Sequence, residues 1–180
     1  MKQRFTPTPP ASQTTEQAAL QASIAESRGL SNQQALQGPF GPWVESPLMG
    51  KHLSRLGVFH RFNSCLDRRQ IELAILITAK FWAAKFEWWA HEPMAVAAGV
   101  PGDVIAAILE GATPNFSNDR DAAVYDFVLE LHQQHHLHSA IYHRAAELLG
   151  QQGVIERRTD SGDATLFTEC QFSQATITVR

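Results

Sequence analysis

Residues 67–99, DRRQIELAILITAKFWAAKFEWWAHEPMAVAAG, form the longest nearly unbroken apolar stretch of the chain. The ionisable residues Glu72, Glu87 and His91 nevertheless lie inside it, with Lys80 between them. Burial of a carboxylate or an imidazole is costly unless the group is paired. Ionisable residues in a core-like segment therefore indicate a candidate functional site, and we expect the rest of the chain to form helices around it.

This stretch is predicted to form helices rather than strands. Asp67 and Gln70 have the spacing of a capping box, and residues 71–80 are apolar on nearly every side. The β-branched residues alone would also allow a buried strand, but the length and the cap favour a helix. One unbroken helix over residues 68–98 would be about 45 Å long. That is too long for a compact domain of this size, so we expect a break at residues 81–84.

Capping residues predict the other helices. We expect a first helix from Thr14 or Thr15 to about Arg28, a second from Pro47 to about Leu56, and later ones over 101–110, from about 119 onward, and from Ser139 to Gly150. Residues 38–43, GPFGPW, are expected to be a non-helical loop because each proline fixes φ and removes a donor. No alternation of strands and helices precedes residue 156, so the predicted fold class is all-α.

Composition limits the classes of function. The chain has 180 residues, enough for one domain with a real core. Its net charge of -3 leaves no basic footprint for nucleic acid or an anionic membrane. The N-terminal segment lacks the apolar region of a signal peptide, and no uncharged apolar run reaches about 18 residues. We therefore expect a cytoplasmic protein.

The cysteines and histidines indicate no metal or thiol centre. Cys65 and Cys170 are far apart and outside any Cys-x-x-Cys pattern, which argues against a disulfide scaffold, a zinc site or a dithiol centre. The histidine-rich run favours solvated side chains over a metal site, since no carboxylate or thiol completes a familiar ligand set. That run contains His132, His135, His136, His138 and His143. We expect neither a metal nor another cofactor.

The spacing of Glu87 and His91 is compatible with proton chemistry. Four residues separate them, so they share one face of a helix. Glu72 would lie about 60° from Glu87 on a continuous helix and is roughly co-facial. A carboxylate that fixes the tautomer of an imidazole suits proton transfer near neutral pH. An ordinary surface Glu–His pair has the same spacing and remains the alternative. The aromatic residues at 86, 88 and 89 favour a core position over a stacking platform.

Residues 71–100 resemble the carboxymuconolactone decarboxylase family. The resemblance rests on Glu72, Thr78-Ala79-Lys80, Glu87-Trp88-x-x-His91, Ala95 and Gly99, and upstream on Gly38-Pro39-Phe40 and Ser46-Pro47. It extends over about residues 15–156, including 125–131. It implies a helical bundle of the alkyl hydroperoxidase D-like type that assembles into homotrimers or homohexamers. The thiol-peroxidase branch carries Cys-x-x-Cys before the histidine, whereas Ala84 and Glu87 stand there in this chain. The resemblance therefore implies the decarboxylase branch.

The family resemblance also implies roles for the site residues. The expected enzyme is a cofactor-free decarboxylase that acts on a small carboxylated lactone or related acid. His91 is the expected proton donor, Glu87 holds it, and Glu72 relays protons or orients the site. Lys80 is expected to attract the substrate carboxylate if it points inward, and a solvated lysine is the alternative. A non-catalytic binding or scaffold member of the family and an acid–base lactone isomerase or hydrolase are the alternative functions.

The two ends of the chain are expected to differ from the helical domain at residues 14–156. Residues 1–13 are polar and contain prolines, which predicts a mobile arm. Relatives in the family continue with another apolar helix, but residues 157–180 have a polar start and a Thr-rich alternating end. We therefore predict that this divergent tail is poorly ordered.

Overall fold

A computed structural model of the protein describes the backbone of residues 5–172 and the side chains of residues 5–156. Over these residues the fold is all-helical, as predicted, with eight α-helices. They are α1 Thr15–Arg28, α2 Phe40–Glu45, α3 Pro47–Phe62, α4 Arg68–Phe81, α5 Lys85–Ala97, α6 Gly102–Glu110, α7 Asp119–Gln134 and α8 Ser139–Phe172, with short 3₁₀ turns at Pro10–Ser12 and Gln34–Leu36. Within this part of the chain, every helix is too short or too polar to cross a bilayer.

The chain divides into two compact units: the first contains Met1–Phe62 together with a C-terminal segment, and the second is Asn63–Thr165. The expectation that residues 14–156 form one helical domain stays a prediction. So does the mobility of the N-terminal arm, whose residues 1–4 lie outside the described chain. Within the arm, the backbone N–H of Thr8 donates to Glu45 Oε1 at 2.6 Å.

In the first unit, α1, α2 and α3 enclose a small core. The Thr14 hydroxyl caps α1 by accepting from the backbone N–H of Gln17, and Gly29 ends the helix in the left-handed region. Both ends of α1 were predicted from the sequence. The buried apolar residues of this unit are Leu20, Ile24, Ala25, Ala35, Trp43 and Val44. Leu20 and Ile24 of α1 therefore form part of this core.

The prediction of a loop at residues 38–43 is wrong, because Phe40–Glu45 forms the helix α2. Pro39 occupies the N-cap position with φ -69°, and Pro42 lies in the first turn. The first four N–H groups of an α-helix have no partner within the helix, so a proline there removes no hydrogen bond. The two prolines accordingly begin this helix rather than prevent it.

Gly50 permits the close approach of α3 to α2. A Cβ atom at this position would collide with the carbonyl oxygen of Trp43 and with Cδ2 of Leu20. We predict that Gly50→Ala destabilises the protein by about 1–3 kcal/mol, the usual cost of overpacking. Urea unfolding of the variant measures this cost. Gly102→Ala is the matched control, since a Cβ atom there meets nothing within 4 Å, and an equal effect of both changes would contradict the prediction.

In the second unit, α4 is the central helix and packs mainly on α5 and α7, with further contacts to α6. Its N-cap is Asp67, whose carboxylate accepts from the backbone N–H of Gln70 at 3.0 Å, as the sequence predicted. The largest apolar side chains buried around it include Leu73, Leu76, Ile77, Ile105, Ile108 and Phe127. The stretch that is most apolar in sequence is thus the core of this unit.

A tight turn separates α4 from α5 at the predicted break. Ala83 adopts a positive φ of 52°, and the backbone N–H of Ala84 donates to the carbonyl of Ala79 at 2.8 Å. This six-to-one hydrogen bond around a left-handed residue is the Schellman arrangement, in which glycine is the usual central residue. The turn folds α5 back along α4, so residues 72 and 91 meet across two helices rather than along one.

The later helices begin close to the predicted residues and α6 ends where predicted, but α8 continues past its predicted end at Gly150 to Phe172. Gly111 ends α6 in the left-handed region, and Asn118 caps α7 through the backbone N–H groups of Arg120 and Asp121. Gly150 departs from helical geometry inside α8, with φ 77° and ψ 163°. By contrast, α3 continues to Phe62 rather than ending near Leu56. The predicted poor order of the tail concerns residues whose side chains lie outside the described part, and it stays a prediction.

Candidate functional site

Glu72 on α4 is the centre of a charged cluster in the second unit. Its side chain has no exposed surface, and its two carboxylate oxygens contact different helices. Oε1 lies 2.5 Å from Arg68 Nη2, one turn earlier on α4, and Oε2 lies 2.7 Å from His91 Nδ1 on α5. Since an unpaired buried carboxylate costs several kcal/mol, these two partners explain how Glu72 is accommodated.

His91 lies between two carboxylates. Its Nδ1 contacts Glu72, and its Nε2 lies 3.3 Å from Oε2 of Glu87, one turn earlier on α5. The His91 side chain is 18% exposed and that of Glu87 is 11% exposed. The structure thus brings Glu72, Glu87 and His91 together, as the sequence predicted. Because the helix is broken at the predicted residues, Glu72 reaches His91 across the interface between α4 and α5 rather than along one helix.

The surroundings of His91 favour its charged form. Burial alone would lower the pKa of its imidazole, but the hydrogen bonds and charges of Glu72 and Glu87 outweigh burial and raise the pKa to about 9. At neutral pH the ring is therefore an imidazolium, which donates through both nitrogens. The contact to Glu72 is shorter by 0.6 Å than the contact to Glu87, as the distances of 2.7 and 3.3 Å show. The proton on Nε2 is consequently the one held less tightly.

Arg68 also belongs to this cluster, although it is not among the site residues predicted from the sequence. Its Nη2 contacts Glu72 and also lies 3.6 Å from Sδ of Met94 on α5. The Arg68 side chain is 33% exposed. The spacing of Arg68 and Glu72, four residues apart on a predicted helix, was the available signal. The cluster therefore alternates in charge from Arg68 through Glu72 and His91 to Glu87.

Lys80 is not brought to this cluster. Its side chain is exposed, and Nζ donates to the backbone carbonyl of Leu109 at 2.6 Å. This contact lies at the end of α6, where a lysine interacts favourably with the partial negative charge of a helix C-terminus. The Lys80 side chain therefore points away from His91, as in the alternative of a solvated lysine.

His132 departs from the expectation of a solvated histidine. It is only 6% exposed, and its Nε2 lies 2.9 Å from the hydroxyl of Thr78. Its ring stacks on Phe81 with the centroids 4.9 Å apart. Burial, and to a smaller extent the charge of His135, lower the pKa of His132 to about 4. The ring is therefore neutral at physiological pH and is part of the packing between α4 and α7.

The remaining members of the histidine run lie at the end of α7 and the start of α8. His138 is exposed, and its Nδ1 lies 2.6 Å from Oε1 of Glu130. His135 ends α7 in the left-handed region. In the part of the chain that the structure describes, no group of three or more histidine, cysteine, aspartate or glutamate side chains is arranged to hold a metal ion.

The aromatic residues of α5 are less buried than their sequence pattern predicts. Trp89 is 57% exposed, with its ring 5.8 Å from that of Phe86. The core position expected for Trp89 is therefore wrong. Trp88 packs against the core as expected, and its Nε1 donates to Glu92 Oε2 at 3.1 Å. The face of α5 opposite His91 and Glu87 thus presents large apolar side chains to solvent.

Comparisons with known proteins find no match to this chain among family models, curated proteins or solved structures. The resemblance to carboxymuconolactone decarboxylases consequently rests on the sequence motifs given above, and it enters below as part of a proposal.

The shifted pKa values of His91 and His132 predict that the free energy of unfolding is largest near pH 6.5. The raised pKa of His91 gives stability that is complete below about pH 6.5 and is lost as the pH rises through 9. The lowered pKa of His132 gives stability that is complete above about pH 6.5 and is lost as the pH falls toward 4. Each histidine accounts for about 3 kcal/mol of the free energy of unfolding, and this amount is lost once the pH has passed the pKa of that histidine in the folded protein.

Urea unfolding between pH 4.5 and 9 measures both losses. Glu156, whose pKa lies near 2 because hydrogen bonds from Ser64, Gln152 and Cys65 outweigh the effect of burial, stays ionised over this range. We expect His132→Gln to flatten the acid side of the profile and His91→Gln to flatten the alkaline side. An unchanged profile in either variant would remove that histidine from the explanation.

Proposed function

We propose that the protein is a cofactor-free decarboxylase of the carboxymuconolactone decarboxylase type. The observation that carries this proposal is His91, a largely buried imidazole held between Glu72 and Glu87 with a pKa of about 9. Such a group is a proton donor at neutral pH, and protonation at carbon is the step that follows loss of CO2. The sequence resemblance supports the same reaction class independently of the geometry.

The proposed reaction begins with an unsaturated lactone that carries a carboxylate. The bond between the ring carbon and the carboxylate breaks, CO2 leaves, and the electron pair enters the conjugated lactone to give a dienolate. His91 then transfers the proton on Nε2 to carbon and becomes neutral, after which water restores the proton. The overall change consumes one proton and releases one CO2, so no oxidant, reductant or metal takes part.

The geometry suggests which carboxylate moves when the substrate enters. Glu72 has no exposed surface and contacts His91 at 2.7 Å, whereas Glu87 is partly exposed and lies at 3.3 Å. A substrate at Nε2 would therefore displace Glu87 and leave Glu72 in place to orient the ring. Loss of the Glu87 hydrogen bond removes one cause of the raised pKa of His91, so the proton becomes easier to donate.

An assay of the purified protein with 4-carboxymuconolactone tests this proposal. Ultraviolet absorbance follows the product, and trapping of released CO2 distinguishes decarboxylation from lactone isomerisation or hydrolysis. Chelators and replacement of Cys65 by serine are expected to leave the rate unchanged, because the proposed steps use neither a metal nor a thiol. Absence of CO2 release at millimolar substrate would leave a non-catalytic binding or scaffold protein as the better hypothesis.

We also propose that the chain assembles into a homotrimer or homohexamer. The exposed apolar residues of α5, Trp89 at 57% and Val96 at 58%, lie seven residues apart and therefore on one face of the helix. Exposed apolar patches of this kind often mark interfaces between proteins. Light scattering at micromolar concentration is expected to give a multiple of the 20.0 kDa chain. A species of 20.0 kDa would contradict the proposal, and Trp89→Glu is the variant expected to weaken the assembly.

The location that we propose is the cytoplasm. Cys65 is an unpaired, exposed cysteine, and such thiols persist where the environment is reducing. Fractionation of cells that express the full chain tests this location.

A further inference from the structure

Two histidines between α7 and α8, His136 and His138, lie next to each other outside the cluster around His91. Both are exposed, and their ring centres are 4.8 Å apart with the ring planes tilted by 57°. Neither ring takes part in the proposed decarboxylation. Because imidazole is the commonest metal ligand among side chains, this pair is a candidate for binding a metal ion.

The end of α7 determines which nitrogen of His136 carries the proton. Nδ1 of His136 lies 2.9 Å from the backbone carbonyl oxygen of Gln134, the last residue of that helix. The last carbonyls of an α-helix have no partner within the helix, and a carbonyl oxygen can only accept a hydrogen bond. Nδ1 is therefore the donor in this contact. The neutral ring then has its free lone pair on Nε2.

A carboxylate does the same for His138. Glu130 on α7 accepts twice from this residue, through Oε2 from the backbone N–H at 3.0 Å and through Oε1 from Nδ1 at 2.6 Å. The Glu130 side chain is 17% exposed, whereas that of His138 is 65% exposed. Since two contacts hold His138, its ring has a fixed orientation although it is exposed. Nε2 is again the nitrogen with the free lone pair.

The two rings have the hydrogen bonds that metal-binding histidines usually have. Such histidines donate their other ring N–H to a carboxylate or a backbone carbonyl, which fixes the tautomer and the direction of the ring. His138 has the carboxylate and His136 has the carbonyl. Two imidazoles that bind one ion through nitrogens at ~2.0–2.1 Å have ring centres roughly 5 Å apart. The observed separation of 4.8 Å is compatible with this arrangement.

The number and type of ligands indicate the class of metal. From the sequence we expected no metal in this run, because no carboxylate or thiol completes a familiar ligand set. The described part of the chain likewise has no group of three or more suitable side chains, so a site of two imidazoles leaves its other positions to water. Imidazole suits zinc, nickel and copper, whereas calcium and magnesium prefer oxygen ligands. The pair therefore fits a late transition-metal dication.

We propose that His136 and His138 bind one transition-metal dication of the zinc, nickel or copper class through their Nε2 atoms. Glu130 and the carbonyl of Gln134 orient the two rings. Each neutral imidazole gives one lone pair to the ion and displaces one water from it, so no electron is transferred. The inference is independent of the proposed decarboxylase function, whose steps use neither ring.

Equilibrium dialysis of the full chain, carrying no histidine tag and freed of metal beforehand, tests the site with zinc chloride and copper chloride. We expect one ion per chain and a higher affinity for copper than for zinc, in keeping with the usual order of affinities. His136→Gln and His138→Gln are each expected to weaken binding at least about 10-fold, since loss of an orienting partner alone usually costs about 10–100-fold. Glu130→Gln keeps both ligands and is expected to weaken binding less than either of these changes.

Two other exposed histidines provide matched controls. His52→Gln on α3 and His143→Gln on α8 each remove an exposed imidazole from a helix, and both are expected to keep the affinity of the unmodified protein. Equal weakening in the controls would overturn the proposal, because the ion would then bind at scattered surface histidines. Unchanged affinity in both His136→Gln and His138→Gln, or no bound ion at millimolar metal, would also overturn it.

Pulsed electron paramagnetic resonance of the copper-loaded protein counts the imidazoles that bind the ion. We expect two imidazoles per copper ion in the unmodified protein and one in His136→Gln or His138→Gln at saturating copper. The count in the unmodified protein is decisive even if a variant does not fold. Fewer than two imidazoles there, or two in both variants, would overturn the proposal.

Discussion

His91→Gln is expected to lower kcat for decarboxylation by about 10²-fold or more, since a positioned acid usually contributes that much. Glutamine keeps a polar side chain near Glu72 but has no proton to transfer at neutral pH. In the structure His91 is the group between the two carboxylates, so its replacement removes the donor and the charge that balances them. Single-turnover measurements with 4-carboxymuconolactone isolate this step from product release.

The control for this variant is His143→Gln, which removes an exposed histidine from α8. Its kcat is expected to equal that of the unmodified protein. Glu87→Gln provides a second comparison, because it should lower the pKa that appears in the profile of kcat/KM against pH while leaving the donor in place. An unchanged kcat in His91→Gln would remove this residue from the mechanism.

Arg69→Gln is expected to have the largest effect on stability, about 3 kcal/mol. Arg69 on α4 donates through Nε to Oδ2 of Asp121 on α7 at 2.7 Å, and its Nη2 contacts the same oxygen. The Asp121 side chain is 4% exposed, so loss of the arginine leaves a buried charge without its main partner. Removal of one partner of a buried ion pair costs about 3–5 kcal/mol, and the partial exposure of Arg69 places this case at the lower end.

Differential scanning calorimetry measures this effect. A loss of about 3 kcal/mol corresponds to a fall in Tm of about 6–12 °C for a chain of this length. Arg144→Gln, which breaks an exposed pair, is expected to change Tm by less than about 2 °C. Asp121→Asn in the Arg69→Gln background is expected to recover part of the loss, because the buried charge is then absent. A double variant as unstable as the sum of the single changes would contradict this explanation.

The sequence was sufficient for the fold class and for most of the helix ends. Those ends depend on local chemistry: Thr14, Asp67 and Asn118 cap the helices that follow them, and Gly29 and Gly111 adopt the left-handed conformation after helices. Capping and backbone freedom are properties of a few neighbouring residues, so a pattern along the chain can show them. The prediction of a loop at residues 38–43 was wrong because proline is unfavourable inside a helix but not in its first turn.

The sequence also predicted that Glu87 and His91 are neighbours, because a helix repeats every 3.6 residues. It did not show that Glu72 reaches His91 from another helix, that Arg68 pairs with Glu72, or that Lys80 turns away to Leu109. The first of these contacts depends on the turn at Ala83, which adopts a left-handed conformation without the glycine that would have marked it. The burial of His132 and the exposure of Trp89 were likewise decided by the packing of whole helices. Periodicity shows which residues share a face, whereas only the tertiary structure determines what that face contacts, because burial and pairing depend on residues far apart in the chain.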